Sequence, residues 1–313
     1  MRTVALSFAC NNACVFCAQG ELRDLASTSE PGAAVAEAAR SLDAGETVAL
    51  VGGEPTLDDR LPEWIRALDA AGAGRIVVQT NARRLAYRSY ASALKATSPR
   101  LSLDVSIAGS TEAMHDYHTG TPGSFKQTVL GLRNARAERI RAAISCVVTR
   151  SNFRHLAEIV RLAHAVGATG LRFVVAQPIG RALRARDRVV PAPEMVAPYL
   201  GVAQAEAAKL GLAVRASVKG DPEESAAGVF AGLGPIETES DRLAAERSRD
   251  AKLPRALPVL GRPAPGRREE RTPGGRKTGD DLRAIFPTLF EGAEPRDVAD
   301  VVAQSRPGER EAG

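Results

Sequence analysis

The chain has 313 residues, of which 44% are hydrophobic and 25% charged, enough apolar material for a sizeable core and incompatible with a wholly disordered or fibrous protein. Lys and Arg total 42 against 37 Asp and Glu, but residues 241–280 alone hold 11 basic and 6 acidic side chains, so the remainder is balanced at 31 of each sign and implies no acidic partner. No apolar run approaches the ~18 residues of a membrane span, and the run at residues 3–9 is too short for an export signal. A cytoplasmic location and no membrane partner are the expectation.

Short β-rich runs alternate with longer amphipathic stretches up to residue 218. In chain order, strands are expected at residues 3–8, 47–51, 75–79, 101–107, 141–148 and 170–175. Apolar residues recurring at three and four positions predict helices at 33–42, 61–70, 86–95, 125–137, 156–166 and 194–210. Residues 213–218 offer a seventh strand or an edge extension. This rhythm argues for a parallel sheet, and six βα units are too few to close an eight-stranded barrel. The expected fold is therefore α/β, a partial (β/α)6 TIM-like barrel over residues 1–218, with ligands gathered at the carboxyl ends of the strands. Residues 219–313 are rich in Arg, Pro and Gly and are expected to form a poorly ordered tail. Apolar patches at 282–290 and 297–304 could each add a short docked helix.

Three of the four cysteines, Cys10, Cys14 and Cys17, follow the first strand at spacings of three and two residues. That crowding suits a metal or redox site better than disulfides. Three thiolates on one tight loop can each hold one iron of a cubane [4Fe–4S] cluster, leaving the fourth iron open for a ligand. A zinc site completed by His115 or His118 is the alternative. At the end of the second strand stand Gly52, Gly53, Glu54 and Pro55. The glycines allow close backbone approach and Glu54 offers an acceptor for an ammonium group, although a plain βα turn uses the same residues.

These two motifs lie one βα unit apart at the same end of the sheet, and together they resemble the radical S-adenosylmethionine (radical SAM) superfamily. Its signature is C-x3-C-x2-C with an aromatic residue, here Phe16, before the last cysteine, followed by a GGEP motif. The resemblance implies a cluster held by Cys10, Cys14 and Cys17, and S-adenosylmethionine held through its amino group by Gly52, Gly53, Glu54 and Pro55. It is nearest to the molybdenum-cofactor cyclase and peptide-maturase branch and covers residues 1–218. No cysteine follows Cys146, so it implies a single cluster and no auxiliary-cluster domain. The first strand begins so early that leader-peptide recognition is expected from a separate partner.

The other strand ends extend the resemblance. Gln79-Thr80-Asn81 is similar to a Thr-Asn-Gly segment, with Ala82 in place of the glycine; Thr80 and Asn81 could bond the cofactor or cap a turn. Ser106 sits in a segment whose serine approaches the methionine carboxylate or ribose, with Ala108 where an aspartate is usual. Arg150 and Asn152, after the fifth strand, are further cofactor candidates. The run His115-Asp-Tyr-His-Thr-Gly120, then Gly-Ser-Phe125, resembles the loop after the fourth strand in peptide maturases. There the two histidines could be an acid–base pair, a metal site or simple hydrogen-bonding groups. Cys146 is expected to be a core residue.

No residue is singled out as catalytic. The expected function is reductive cleavage of S-adenosylmethionine to a 5′-deoxyadenosyl radical that takes hydrogen from a peptide or natural-product precursor, with an external donor such as a flavodoxin or ferredoxin. The alternative is a non-catalytic iron–sulfur accessory or electron-transfer subunit. Nucleic-acid binding by the tail ranks lowest, because the basic run lacks interleaved aromatics.

Overall fold

The computed structural model describes residues 1–20 and 30–217. The expectations for residues 219–313, the two apolar patches included, lie outside the described residues. Among the described residues there are seven strands: β1 (Arg2–Ala5), β2 (Thr47–Val51), β3 (Arg75–Thr80), β4 (Leu101–Ser106), β5 (Arg141–Val148), β6 (Leu171–Val175) and β7 (Val214–Ser217). They form one parallel sheet in strict chain order, β1 to β7. The seventh strand is thus real and extends the six-strand reading by one. Among the described residues β1 and β7 remain the two edges, so the sheet does not close.

Sequential parallel strands joined by right-handed crossovers place their connecting helices on one face. These helices are α1 (Pro31–Arg40), α2 (Leu61–Ala70), α3 (Arg88–Lys95), α4 (Glu112–Thr119), α5 (Ser124–Ala137), α6 (Leu156–Val166), two short ones, α7 (Gly180–Arg184) and α8 (Arg186–Val189), and α9 (Pro193–Leu210). Strand register carries apolar rows across the sheet. Val48, Ile76 and Leu101 form one row, and Val105, Ile144, Leu171 and Val214 another, none more than 2% exposed. Side chains alternate along a strand, so the intervening residues belong to the opposite face. On β4 these are Ser102, Asp104 and Ser106, set against Leu101, Leu103 and Val105. One face is therefore packing and the other polar.

Three local differences from the sequence reading have physical causes. β1 ends at Ala5 rather than at residue 8, because Leu6 N–H makes the last ladder bond to Val51 O (2.8 Å) and Ser7 O instead accepts from Gly53 N–H (2.6 Å). The chain peels off the sheet to meet the glycine motif. The segment after β4, expected as a loop, is helical as α4: Thr111 caps it by accepting Met114 N–H (3.3 Å), and Gly120 ends it at φ 61°. Asp116 then caps α5, its carboxylate accepting the N–H groups of Gly123 (2.6 Å) and Phe125 (2.8 Å) and the Ser124 hydroxyl (2.8 Å). Among the described residues no helix is long and apolar enough to cross a membrane.

Candidate cofactor site

The cysteine loop is gripped by four of the following βα connections. From β2, Gly53 N–H donates to Ser7 O and Glu54 N–H to Ala9 O (2.8 Å). From β3, Asn81 Nδ2 donates to Asn11 Oδ1 (2.7 Å), and Arg83 Nη1 donates to Asn11 O (2.5 Å) and Asn12 Oδ1 (2.9 Å). From the end of α4, the carbonyls of Thr119 and His118 accept Ala13 N–H (2.7 Å) and Val15 N–H (2.9 Å). From β6, Arg181 N–H donates to Cys17 O (3.0 Å). Backbone bonds on every side hold the loop that carries Cys10, Cys14 and Cys17. No disulfide joins the cysteines, and the three loop thiols are half-buried.

The glycines of the second motif lie against the cysteine loop. A Cβ on Gly52 would run into Ser7 O, and one on Gly53 into the carbonyls of Phe8 and Ala9; Gly52 also adopts φ 148°, which side chains resist. Their close approach is to the cysteine loop itself. Gly180, at φ 52°, does the same from β6, where a Cβ would meet the carbonyls of Cys17 and Ala18. Pro55 is buried and opens a short 3-10 turn.

Glu54 is buried and collects four donors. Its Oε1 accepts Thr56 N–H (3.1 Å), the Thr56 hydroxyl (2.6 Å) and the Thr80 hydroxyl (2.6 Å), while Oε2 accepts Asn81 N–H (2.6 Å). Burial pushes this carboxyl above the usual range, and the Asn81, Thr56 and Thr80 donors pull it back by less. A carboxylate oxygen has room for two donors or more, so Oε2, with one, keeps capacity for another. Thr80 and Asn81 therefore orient Glu54 and the loop. The same turn holds Ala82 at φ 58°, the left-handed conformation that explains why glycine is usual there.

A group of three thiols on a clamped loop, with a buried acceptor at the same strand ends, fits a cubane cluster and an ammonium-bearing ligand. Each cubane thiolate takes a separate iron, which is a wider arrangement than a single-ion site. Among the described residues no three His, Cys, Asp or Glu side chains converge on one ion. Of the two histidines offered for the zinc alternative, His118 is not available as a fourth ligand, since both its ring nitrogens are engaged within the protein: Nδ1 with Met114 O (2.6 Å) and Nε2 with the Thr149 hydroxyl (2.7 Å).

The sequence pattern of the Radical SAM superfamily matches residues 4–163, just over half of the chain. The chain belongs to the radical SAM superfamily. It is 29% identical over 192 residues to the AdoMet-dependent heme synthase of Nitratidesulfovibrio vulgaris, covering 59% of this chain and 50% of that one. It is 28% identical over 181 residues to the probable GTP 3′,8-cyclase of Metallosphaera sedula, covering 56% of each. Among solved structures, Streptococcus suis SuiB bound to S-adenosylmethionine superposes with a TM-score of 0.55 at 14% identity, over 74% of this chain and 53% of that one. That likeness shows the partial-barrel fold. The chain spans about half the length of the curated relatives it matches.

Membership of this superfamily implies a [4Fe–4S] cluster and S-adenosylmethionine. The remaining sequence candidates are scattered in role. Phe16 packs with Val15 against Val147, Ala176, Ala182 and Val189, and its ring lies 6.1 Å from that of His118, so it anchors the underside of the loop. Ser106 is half-buried at the end of β4 on the polar face. Arg150 is exposed, its N–H donating to Val189 O (3.0 Å). Asn152 is fully buried: Oδ1 accepts Thr149 N–H (2.7 Å), and Nδ2 donates to Ala108 O (3.0 Å) and Val147 O (2.8 Å), tying the β4 and β5 connections together. Cys146 is buried in the core and burial pushes its thiol up.

Sequence reasoning overlooked Arg83. Its guanidinium is buried, with Nε donating to Gln127 Oε1 (2.5 Å) as Nη1 holds the loop. Burial weakens its hold on a proton, while the charges of Cys10, Glu54, Asp116 and Cys14 strengthen it, an arrangement that places a cation beside the cluster ligands. Only its position after the Thr-Asn segment could have signalled it.

The histidines lie on α4, not in a loop. Because Met114 O can only accept, His118 carries its proton on Nδ1 and accepts the Thr149 hydroxyl at Nε2. His115 is fully buried, its Nδ1 accepts Ala108 N–H (3.3 Å) and its Nε2 is buried with no hydrogen-bond partner. Burial lowers its pKa to about 4, with Asp116 opposing and His118 and Arg83 adding to the shift. The unfolded chain therefore binds a proton that the folded one refuses between about pH 6.5 and 4. His115 favours folding fully above pH 6.5, and that contribution, about 3 kcal/mol in all, is lost as pH falls through the window. Urea unfolding across this range should show a flatter acid limb for His115→Gln than for the parent.

Proposed function

We propose that the protein cleaves S-adenosylmethionine reductively at a cluster bound by Cys10, Cys14 and Cys17 and uses the radical so formed on a peptide or natural-product precursor. When bound, the cluster and S-adenosylmethionine supply a 5′-deoxyadenosyl radical that abstracts a hydrogen atom from the substrate. The protein's own residues do the rest. Glu54 Oε2 accepts from the ammonium of the cofactor; Thr80, Thr56 and Asn81 hold that carboxylate in place; Ser106 meets the carboxylate or ribose. Arg83 balances the thiolate charge. Gly52, Gly53, Pro55 and Gly180 bring the surrounding turns against the loop, which excludes water from the reacting centre. The carrying observation is the cysteine loop bonded from four directions, with Glu54 holding a spare acceptor at the same strand ends.

An electron arrives from an external donor such as a flavodoxin or ferredoxin. Relatives named as enzymes favour catalysis over the accessory-subunit reading. The deciding measurement is 5′-deoxyadenosine production by anaerobically reconstituted, dithionite-reduced protein supplied with S-adenosylmethionine. Methionine and 5′-deoxyadenosine in equal amounts are expected. An intact cluster by electron paramagnetic resonance with no 5′-deoxyadenosine overturns the proposal and leaves the accessory role.

A further inference from the structure

The Arg83 guanidinium bonds the peptide that leads away from Cys10. Its Nη1 donates to Asn11 O (2.5 Å), and the N–H of that same peptide unit, which belongs to Asn12, donates to Cys10 Sγ (3.4 Å). The Asn11–Asn12 bond is trans, so its carbonyl and its N–H point to opposite sides. One peptide therefore stands between a cation on its oxygen and a sulfur on its hydrogen. Each bond strengthens the other, because charge drawn toward the oxygen makes the N–H a better donor. Two further bonds fix the arrangement: Nη1 also donates to Asn12 Oδ1 (2.9 Å), and Asn81 Nδ2 donates to Asn11 Oδ1 (2.7 Å).

No bonded carboxylate neutralises this cation. Arg83 is 5% exposed, and the hydrogen-bond partners of its guanidinium among the described residues are Asn11 O, Asn12 Oδ1 and Gln127 Oε1, all neutral. A buried charge with neutral partners alone is costly unless anions lie within electrostatic reach. Burial lowers the pKa of this guanidinium, and the charges of Cys10, Glu54, Asp116 and Cys14 oppose that, Cys10 most. Two of these four are the proposed cluster ligands. The neutral amide of Gln127 matters as much as the cation does, since a carboxylate in its place would quench the charge on the side away from the sulfurs.

A cluster that takes up one electron from a reductant gains one negative charge. A nearby cation and an N–H donor on a ligand sulfur both favour that more negative state, and at a buried site salt screens them little. We infer that Arg83 is a positioning residue that raises the reduction potential of the cluster, acting on Cys10 through the Asn11–Asn12 peptide and through its own uncompensated charge. This deepens the proposed function, rests on its cluster assignment, and names what governs electron entry: with Arg83 in place, a weaker donor suffices.

The test is a potentiometric titration of the reconstituted full chain with dithionite, without S-adenosylmethionine, followed by the paramagnetic signal of the reduced cluster and accompanied by iron analysis. Arg83→Gln should lower the midpoint potential by about 59 mV, a tenfold change in a one-electron equilibrium. Gln127→Glu leaves every bond to the cysteine loop in place and keeps an acceptor for Nε, yet it should lower the midpoint by a similar amount by neutralising the cation. Arg83→Lys retains the charge and should lie nearer to the parent. Should Arg83→Gln shed its iron, the other two variants still decide. A Gln127→Glu midpoint equal to the parent's, or an Arg83→Lys midpoint as low as that of Gln127→Glu, overturns the inference and leaves the arginine a strut for the loop. A parent that takes up no cluster sinks both readings. An Arg83-dependent potential without 5′-deoxyadenosine production would sink the radical reading alone, and 5′-deoxyadenosine production at a potential indifferent to all three variants would sink only this inference.

Discussion

Replacing Cys14 with alanine should strip iron from the protein and cut 5′-deoxyadenosine formation by about a hundredfold or more. Loss of residues that merely support a metal ligand typically costs about 10–100-fold, and Cys14 is the middle ligand itself. The fold should survive. The loop is held by backbone groups on either side of Cys14, Ala13 N–H to Thr119 O and Val15 N–H to His118 O, and by Cys14 O accepting Cys17 N–H (3.2 Å). None of these needs the sulfur. Melting temperature should therefore stay near the parent value while iron, the paramagnetic signal of the reduced cluster and product all fall together. Cys146→Ala is the matched control: its thiol is buried in β5, so the variant loses packing energy of about 1 kcal/mol and keeps its iron. A Cys14→Ala protein with undiminished iron would remove the cluster assignment and everything built on it.

The order of strands was legible because the apolar runs are short, β-branched and regularly separated by amphipathic stretches, a rhythm that one parallel sheet satisfies. The two motifs were legible because thiols and glycines are chemically conspicuous. What could not be read were relations between segments distant in sequence. That Gly53 packs on Ala9, 44 positions earlier in the chain, could not be read from either segment. α4 hides because its cap, Thr111, and its closing Gly120 enclose two histidines and a threonine, residues with little helix preference of their own. Arg83 is overlooked because nothing local says that its partners, Asn11, Asn12 and Gln127, come from the cysteine loop and α5. A signal for the polar face was nevertheless present: in Leu-Ser-Leu-Asp-Val-Ser, alternation places Asp104 and Ser106 on one side and three apolar residues on the other.

Glu54→Ala should be the most damaging change that leaves the cysteines intact. It removes the acceptor shared by two backbone N–H groups, those of Thr56 and Asn81, and by two hydroxyls. The hydroxyls can turn toward other acceptors, whereas the amides are fixed by the turns that carry them. Each buried donor left without a partner costs about 1–3 kcal/mol, so with two amides orphaned the variant should lose about 2–6 kcal/mol on urea unfolding. Loosening should spread to the cysteine loop, because Asn81 bonds Asn11 and leads directly into Arg83, which holds Asn11 and Asn12. Glu54→Gln separates the two roles. Its carbonyl can replace Oε1 and keep three donors, but its amide nitrogen then faces Asn81 N–H, a donor against a donor, and no longer accepts from an ammonium group. The glutamine variant should retain most of its stability and its iron while its equilibrium affinity for S-adenosylmethionine falls about tenfold or more. If Glu54→Gln bound S-adenosylmethionine as the parent does, Glu54 would be a buried strut for the β2 and β3 turns, and the ammonium would have to be held elsewhere.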